Sequence, residues 1–134
     1  MIVGLDPGRR RVGVAVADLE TRFARPLEVI DKDATDAVAR VAQLVEEVQA
    51  TRVVVGRPVG LSGEPGQAVA EQRAFVEALR SALPVEVEEY DERLTTVVAE
   101  RSLASAGVPS RRRRTMRDAV AAQVMLQGYM DSVR

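Results

Sequence analysis

The order of strand-like and helix-like segments predicts an α/β fold, in which a mixed sheet carries helices on both faces. Three strand-like runs come first, within residues 2–30, with only short connections between them. After residue 33 the apolar pattern becomes helical, and helices then alternate with short apolar strands. The 134 residues are enough for one such domain, over residues 1–134, and too few for two.

The first three strands are read from apolar runs and the turns between them. Residues 2–6 (IVGLD) are apolar up to Asp6, which is typical of a strand covered on both faces. A Pro-Gly turn follows, and residues 12–17 (VGVAVA) form the antiparallel partner strand. Residues 25–30 form the third strand, and Pro26 favours an edge position because proline donates no ladder hydrogen bond.

Helices and strands alternate in the next part of the chain. Residues 33–50 form a helix whose apolar face carries Val38, Val41, Val45 and Val48. Residues 53–55 (VVV) form a short buried strand, and a strand after a helix implies a parallel crossover. A loop rich in Gly and Pro, over 57–66, leads into a second helix over 67–83. Its expected apolar positions are Val69, Phe75, Val76 and Leu79.

The last third of the chain contains one more strand and two more helices. The strand covers residues 85–90, and Glu86 and Glu88 share the face where charges block edge-to-edge pairing. A helix over 94–106 and a basic loop over 107–117 follow. The final helix is predicted over 118–130, with Asp118 at its start.

The composition excludes several classes of site. The chain has no cysteine and no histidine, so disulfides, thiolate or histidine catalysis and zinc-thiolate sites are excluded. Any catalytic metal must therefore sit among oxygen ligands, which favours Mg²⁺ or Mn²⁺. No apolar run approaches the ~18 residues of a membrane span. The sequence opens directly on a strand without a signal-peptide pattern, so we expect a cytoplasmic protein with no membrane partner.

Three carboxylates are candidates for one metal site. Asp6 ends the first strand, Asp91 follows the last strand, and Asp118 opens the final helix. Because parallel strands of an open α/β sheet end at the same edge, these residues can meet there. Clustered like charges are costly unless a cation neutralises them, and a Mg²⁺ or Mn²⁺ pair about 4 Å apart would also activate water. Each residue also has a structural interpretation, as a turn residue, a helix cap and a partner of the helix dipole respectively.

Two arginine runs flank the candidate ligands. Arg9, Arg10 and Arg11 follow Asp6 in the first hairpin, and a second run precedes Asp118. Basic residues beside a metal site are suited to gripping a phosphate backbone, which predicts a nucleic-acid partner, RNA or DNA. The second run consists of Arg111, Arg112, Arg113 and Arg114. The net charge of −1 does not by itself indicate a partner.

The quoted segments resemble the YqgF/RuvX family of small bacterial proteins. The matching stretches are GLDPGRRRVGVAVAD at 4–18, VVVG at 53–56, YDERLTT at 90–96 and DAVAA at 118–122, in the family's order and spacing. The resemblance spans nearly the whole chain and implies an RNase H-like fold related to the RuvC resolvases, with a five-stranded sheet in the order 3-2-1-4-5. It also implies a nuclease that acts with a divalent metal. Members are candidates for processing the 5′ end of pre-16S ribosomal RNA or resolving branched DNA. By position, the family's acidic residues would be Asp6, Asp91 and Asp118.

The chain departs from the family pattern at two places. After VVVG the loop reads RPVGLSGEPG and lacks the polar Asn-Met-Asp-Gly-like stretch. Resolvases of the RuvC type carry a glutamate at the end of the fourth strand, where this chain has Gly56 and Arg57. The second carboxylate must then come from the fifth strand, as Asp91 or, alternatively, Glu89 or Glu92.

Three functional hypotheses follow. The leading one is a metal-dependent nuclease that hydrolyses phosphodiester bonds in RNA or DNA. The alternative is a non-catalytic nucleic-acid-binding module on the same fold and basic surface. A D-x-G hairpin also occurs in actin-like and sugar-kinase ATPases, but those need two such domains. The protein is expected to be a monomer or a homodimer, since resolving a junction requires two active sites.

Overall fold

The computed structural model describes residues 1–58, 66–92 and 110–133, and at residues 58, 67, 68, 91, 92 and 110–115 it describes the backbone alone. Five strands and three helices lie in these ranges. They are β1 (Ile2–Pro7), β2 (Arg11–Ala17), β3 (Ala24–Asp31), α1 (Ala37–Val48), β4 (Arg52–Pro58), α2 (Gln67–Ala82), β5 (Glu86–Glu92) and α3 (Ser110–Ser132).

The five strands form one mixed sheet in the order β3-β2-β1-β4-β5. The central strand β1 is antiparallel to β2 and parallel to β4. The remaining pairs are β2 with β3, which are antiparallel, and β4 with β5, which are parallel. This order confirms the predicted strand order 3-2-1-4-5. It also confirms that Pro26, in β3, and the acidic strand β5 lie at the two edges of the sheet.

Helices cover both faces of the sheet, as predicted. On one face, Val3, Leu5 and Val55 pack with residues of α1 and α2. On the other face, Ile2 and Val54 pack with α3 through residues such as Leu126. Because side chains alternate along a strand, the even-numbered positions of β1 belong to the α3 face. That face includes Asp6.

The helix α1 begins and ends where local hydrogen bonds stop it. The carboxylate of Asp36 accepts a bond from the backbone N–H of Ala39 at 3.2 Å and caps the first turn. The helix ends at Gln49, whose φ of 54° leaves the helical region. The prediction of a helix over 33–50 was therefore too long at its start, while its valine face is confirmed by the burial of Val41 and Val45.

Three local predictions were wrong. The helix α3 begins at Ser110, so the run of arginines at 111–114 lies in the helix and not in a loop, because arginine is a good helix former. Asp118 consequently sits in the third turn of α3, too far from the N-terminus for a favourable interaction with the helix dipole.

Strand β5 extends to Glu92 and therefore includes Asp91, which was predicted to follow the strand. Val69 was predicted on the apolar face of α2 but is 39% exposed. The predicted helix over 94–106 and most of the loop over 57–66 lie outside the described residues.

Side chains of α3 fix its position against β2 and β3. Gln127 accepts a hydrogen bond from the backbone N–H of Ala24 at 2.9 Å and donates to the carbonyl of Arg22 at 2.9 Å. The Arg22 guanidinium donates in return to the carbonyls of Met130 and Val133 near the end of the helix. These bonds join the β2–β3 hairpin to the C-terminal end of α3.

Candidate active site at the carboxyl edge of the sheet

Asp6 lies near the carboxyl end of the central strand, on the face covered by α3. It is half-buried and pairs with Gly13 in the antiparallel register of β1 and β2. Its position confirms the expectation that a carboxylate ends an otherwise buried strand. A segment that packs against Gly13 on this face therefore lies next to Asp6.

The backbone of α3 lies directly on Gly13. A Cβ atom built on Gly13 would lie 1.8 Å from the carbonyl oxygen of Asp118 and 3.0 Å from the backbone nitrogen of Ala119. Only glycine leaves room for this approach. Asp118 is therefore held next to the residue that pairs with Asp6, and the structure brings two of the three predicted carboxylate positions together.

The close packing of α3 depends on glycines that the sequence did not single out for this purpose. Nearer the C-terminal end of α3, a Cβ atom on Gly4 would lie 2.9 Å from the Cβ atom of Leu126. Ala122 and Met125, on the C-terminal side of Asp118, pack with residues of the sheet such as Ile2 and Val54. Ala121 packs with Val120 in a separate buried cluster.

Asp118 is paired with an arginine of the first hairpin. The Nε atom of Arg11 lies 3.0 Å from Oδ2 of Asp118, with side-chain exposures of 51% and 29%. A residue predicted to bind nucleic acid thus contacts a residue predicted to bind metal. The missed signal was the spacing of Arg11 and Gly13, since residues two apart share one face of a strand.

The third predicted carboxylate belongs to the same edge of the sheet. Asp91 is in register with Arg57, and Tyr90 with Gly56, at the ends of β5 and β4. Leu5 is in register with Val55, so the row that contains Asp6 is the row of Gly56 and Tyr90. Asp91 stands one row further along.

Because side chains alternate along a strand, positions 91 and 92 of β5 belong to opposite faces of the sheet. Val87 belongs to the core under α1 and α2, whereas Tyr90 packs with the residues under α3. Counting by two, position 92 shares the face of Tyr90, and positions 89 and 91 share the face of Val87. The backbone register therefore puts position 92 on the face that carries Asp6.

The donor set suits a hard divalent cation. The whole chain lacks histidine and cysteine, so only oxygen ligands are available at this edge. Among the side chains that the structure describes, no group of three or more acidic residues is placed to hold a metal ion. Asp6 and Asp118 are acidic residues at this edge of the sheet, and the end of β5 reaches the same edge.

A basic hairpin borders the two carboxylates. Its turn is closed by a hydrogen bond of 2.7 Å from the backbone N–H of Gly8 to the carbonyl of Arg11, which leaves Arg9 and Arg10 exposed. The ammonium of Lys32 donates to the carbonyl of Gly8 at 2.7 Å and lies 5.6 Å from the ring centre of Phe75. Lys32 therefore connects the hairpin to α2, a role that sequence reasoning missed because it is a single lysine.

The second basic run is placed by its helix. Residues 111–114 occupy the first turns of α3, on the N-terminal side of Asp118. Arg57 lies exposed at the end of β4, in the row of Asp91. The backbone thus brings both arginine runs to the edge of the sheet that carries the carboxylates.

The other end of the sheet carries a separate polar network. Arg52 donates to the hydroxyl of Tyr129 at 2.8 Å and forms ion pairs with Glu86 and Glu88 at 2.9 and 3.1 Å. The Tyr129 hydroxyl donates to Glu88 at 2.6 Å, and burial of the ring raises the pKa of Tyr129. Glu86 and Glu88 therefore hold β4 and α3 to the edge strand, in addition to carrying charge there.

The chain is similar to known proteins over nearly its whole length. A family model described as "RuvX: Holliday junction resolvase" matches residues 1–132. The chain belongs to the RuvX family. A protein of Chloroflexus aggregans named "Putative pre-16S rRNA nuclease" is 45% identical over 99% of this chain and 94% of its own length. A protein of the same name from Desulforamulus reducens is 38% identical over 98% of this chain and 96% of its own length.

Solved structures of resolvases share the fold of this RuvX-family chain. RuvC of T. thermophilus, in complex with a Holliday junction substrate, has a TM-score of 0.58 at 20% identity, over 98% of this chain and 93% of that one. The Fowlpox virus resolvase in complex with Holliday junction DNA has a TM-score of 0.61 at 10% identity, over 98% and 97%. These likenesses establish an RNase H-like fold of the RuvC type. No helix in the described part of the chain is long and apolar enough to cross a membrane.

Proposed function

We propose that this RuvX-family protein is a metal-dependent nuclease, with Asp6, Asp118 and one carboxylate of β5 as its metal ligands. The observation that carries the proposal is the contact between the backbone of Asp118 and Gly13, the strand partner of Asp6. This contact puts the backbones of two acidic residues from distant parts of the sequence at one sheet edge, and negative charges gathered at one edge would favour a bound cation.

Mg²⁺ or Mn²⁺ is the cofactor that these residues fit. Carboxylate oxygens are the preferred ligands of both ions, and a bound ion of this class supplies an activated water for attack on a phosphodiester. Asp6 and Asp118 would hold the ion from two sides, β1 and α3. The arginines of the first hairpin and of residues 111–114 would orient the phosphate backbone.

The third ligand is Asp91 or Glu92. The family pattern favours Asp91, whereas the alternation of β5 puts position 92 on the face of Asp6. Paired variants decide between them, because Asp91→Asn and Glu92→Gln each remove one negative charge with little change of shape. We expect the variant at the true ligand to lose metal-dependent cleavage about 100-fold or more, and the other variant to change it less than about tenfold.

The substrate is proposed to be a structured nucleic acid. The curated relatives are named for pre-16S rRNA, and the family model is named for the Holliday junction. An exposed hairpin of arginines contacts phosphates irrespective of base sequence, which suits a substrate recognised by its shape. The protein would act on it in the cytoplasm, as a monomer or a homodimer.

Cleavage assays test the function and identify the substrate. Labelled pre-16S rRNA carrying its 5′ extension, single-stranded DNA and a four-way junction are incubated with Mg²⁺, Mn²⁺ or EDTA. The wild-type protein is compared with Asp6→Asn and with Asp131→Asn, a matched change in an exposed residue at the far end of α3. We expect cleavage by the wild-type protein and Asp131→Asn, and none with EDTA or with Asp6→Asn.

Two outcomes would contradict the proposal. Full metal-dependent cleavage by Asp6→Asn would remove Asp6 from the site. Salt-sensitive binding without cleavage of any substrate under any metal would favour the non-catalytic binding module. Sedimentation of the protein with and without the four-way junction would then give the number of copies that bind.

A further inference from the structure

Arg11 and Asp118 form an ion pair between the first hairpin and α3. Its Nε–Oδ2 distance of 3.0 Å is that of a charge-assisted hydrogen bond. One partner belongs to the basic hairpin and the other to the carboxylates at the sheet edge. The same contact therefore involves both halves of the proposed site.

The fold sets this contact. Arg11 begins β2, two residues before Gly13 and on the same face of the strand. The backbone of Asp118 is fixed against Gly13 by the contact that leaves no room for a Cβ atom. Both side chains thus start from rigid, packed elements, which lowers the entropic cost of holding them together.

We infer that Arg11 is the counter-ion of Asp118 in the metal-free protein and competes with the divalent cation for this carboxylate. The inference rests on the proposed metal site. It makes Arg11 a positioning residue that sets metal affinity, in addition to the phosphate contact proposed for all three arginines of the hairpin. A guanidinium at 3.0 Å both occupies an oxygen of Asp118 and repels an arriving cation.

Removing Arg11 is therefore expected to tighten metal binding. The pair is partly exposed, and solvent screens such pairs, so the effect is modest. We expect Arg11→Ala to lower the dissociation constant for Mn²⁺ about three- to tenfold at low ionic strength. Added salt should reduce the difference, because it screens the repulsion.

The experiment is a titration of the full chain with Mn²⁺, in which free Mn²⁺ is read by electron paramagnetic resonance. Arg11→Ala is compared with Arg9→Ala, which removes the same charge two residues away in the same hairpin. Arg9→Ala is expected to stay within about twofold of the wild-type dissociation constant. Arg11→Gln, which keeps much of the side-chain stem, repeats the test with less loss of packing.

The outcomes separate this inference from the proposed function. Equal or weaker Mn²⁺ binding by both Arg11→Ala and Arg11→Gln would overturn the inference. If Asp6→Asn weakens Mn²⁺ binding while the Arg11 variants do not change it, only the inference fails. If Asp6→Asn binds Mn²⁺ like the wild-type protein, or if the wild-type protein binds none, the metal site fails and the inference with it.

Discussion

The contact between Gly13 and α3 predicts a large effect for one added methyl group. In Gly13→Ala the new Cβ would lie 1.8 Å from the carbonyl oxygen of Asp118 and 2.3 Å from its carbonyl carbon. Both atoms belong to the backbone, so no side-chain rotation relieves the clash. The helix must withdraw until the contact reaches at least 3.0 Å, a shift of about 1.2 Å.

The cost follows from the packing of α3. Forcing extra volume into a packed interface typically costs ~1–3 kcal/mol, and a clash with backbone atoms belongs at the upper end of that range. With a urea m-value of about 2 kcal/mol per molar, a loss of about 2–3 kcal/mol lowers the urea midpoint by about 1–1.5 M. The withdrawal also moves Asp118 away from Asp6, so Mn²⁺ binding should weaken at the same time.

Gly128→Ala is the matched control, because it adds the same methyl group to α3 itself. Its Cβ would meet the Tyr90 hydroxyl at 3.6 Å, an ordinary contact, and alanine is favoured over glycine in a helix by ~0.5–1 kcal/mol. Urea unfolding followed by circular dichroism should show a gain for Gly128→Ala and a loss for Gly13→Ala. Stability of Gly13→Ala within about 0.5 kcal/mol of the wild type, with unchanged Mn²⁺ affinity, would refute the close contact.

Other contacts give further predictions. Tyr129→Phe should cost ~1–2 kcal/mol at neutral pH in urea unfolding. Burial raises the folded-state pKa of Tyr129, so the neutral hydroxyl stabilises the fold below about pH 10. This stabilisation is lost as the pH rises through the raised pKa. Tyr129→Phe should therefore lack this pH-dependent part of the unfolding free energy. Replacing Arg9 and Arg10 together by alanine should reduce the salt slope of nucleic-acid binding by about 1–2, measured by anisotropy, and an unchanged slope would exclude them as phosphate contacts. Gly4→Ala should destabilise the protein by ~1–3 kcal/mol, and Leu126→Ala in the same chain should recover part of that loss in a double-mutant cycle.

Periodicity in the sequence accounts for most of the fold. The alternation of buried strands with amphipathic helices is written in local residue order, so the strands and the helices α1 and α2 were predicted correctly. Some of their ends were predicted wrongly, because caps and turns fix where an element begins and ends, as Asp36 does for α1. The start of α3 was missed because a run of arginines resembles a solvated loop, although arginine favours helix.

The candidate site divides in the same way. The sequence supplied the carboxylates and arginines, and the strand order placed Asp6 and Asp91 at one edge of the sheet. It did not predict that Arg11 would pair with Asp118, since this pairing depends on the distance between β2 and a helix about 100 residues later. It also did not show the difference in face between positions 91 and 92, which depends on the register of β5.

The sequence by itself determined the chemistry available to this protein and the order of its elements. Without histidine or cysteine, carboxylates are its candidate metal ligands and arginines are its main positive charges, and that limit holds in any conformation. The tertiary structure decided which of these groups meet. Gly13 lets α3 approach β2 so closely that Asp118 pairs with Arg11 and its backbone lies against the strand partner of Asp6. Such contacts depend on how segments that are far apart in the sequence pack together, and local residue order does not determine the distance between them.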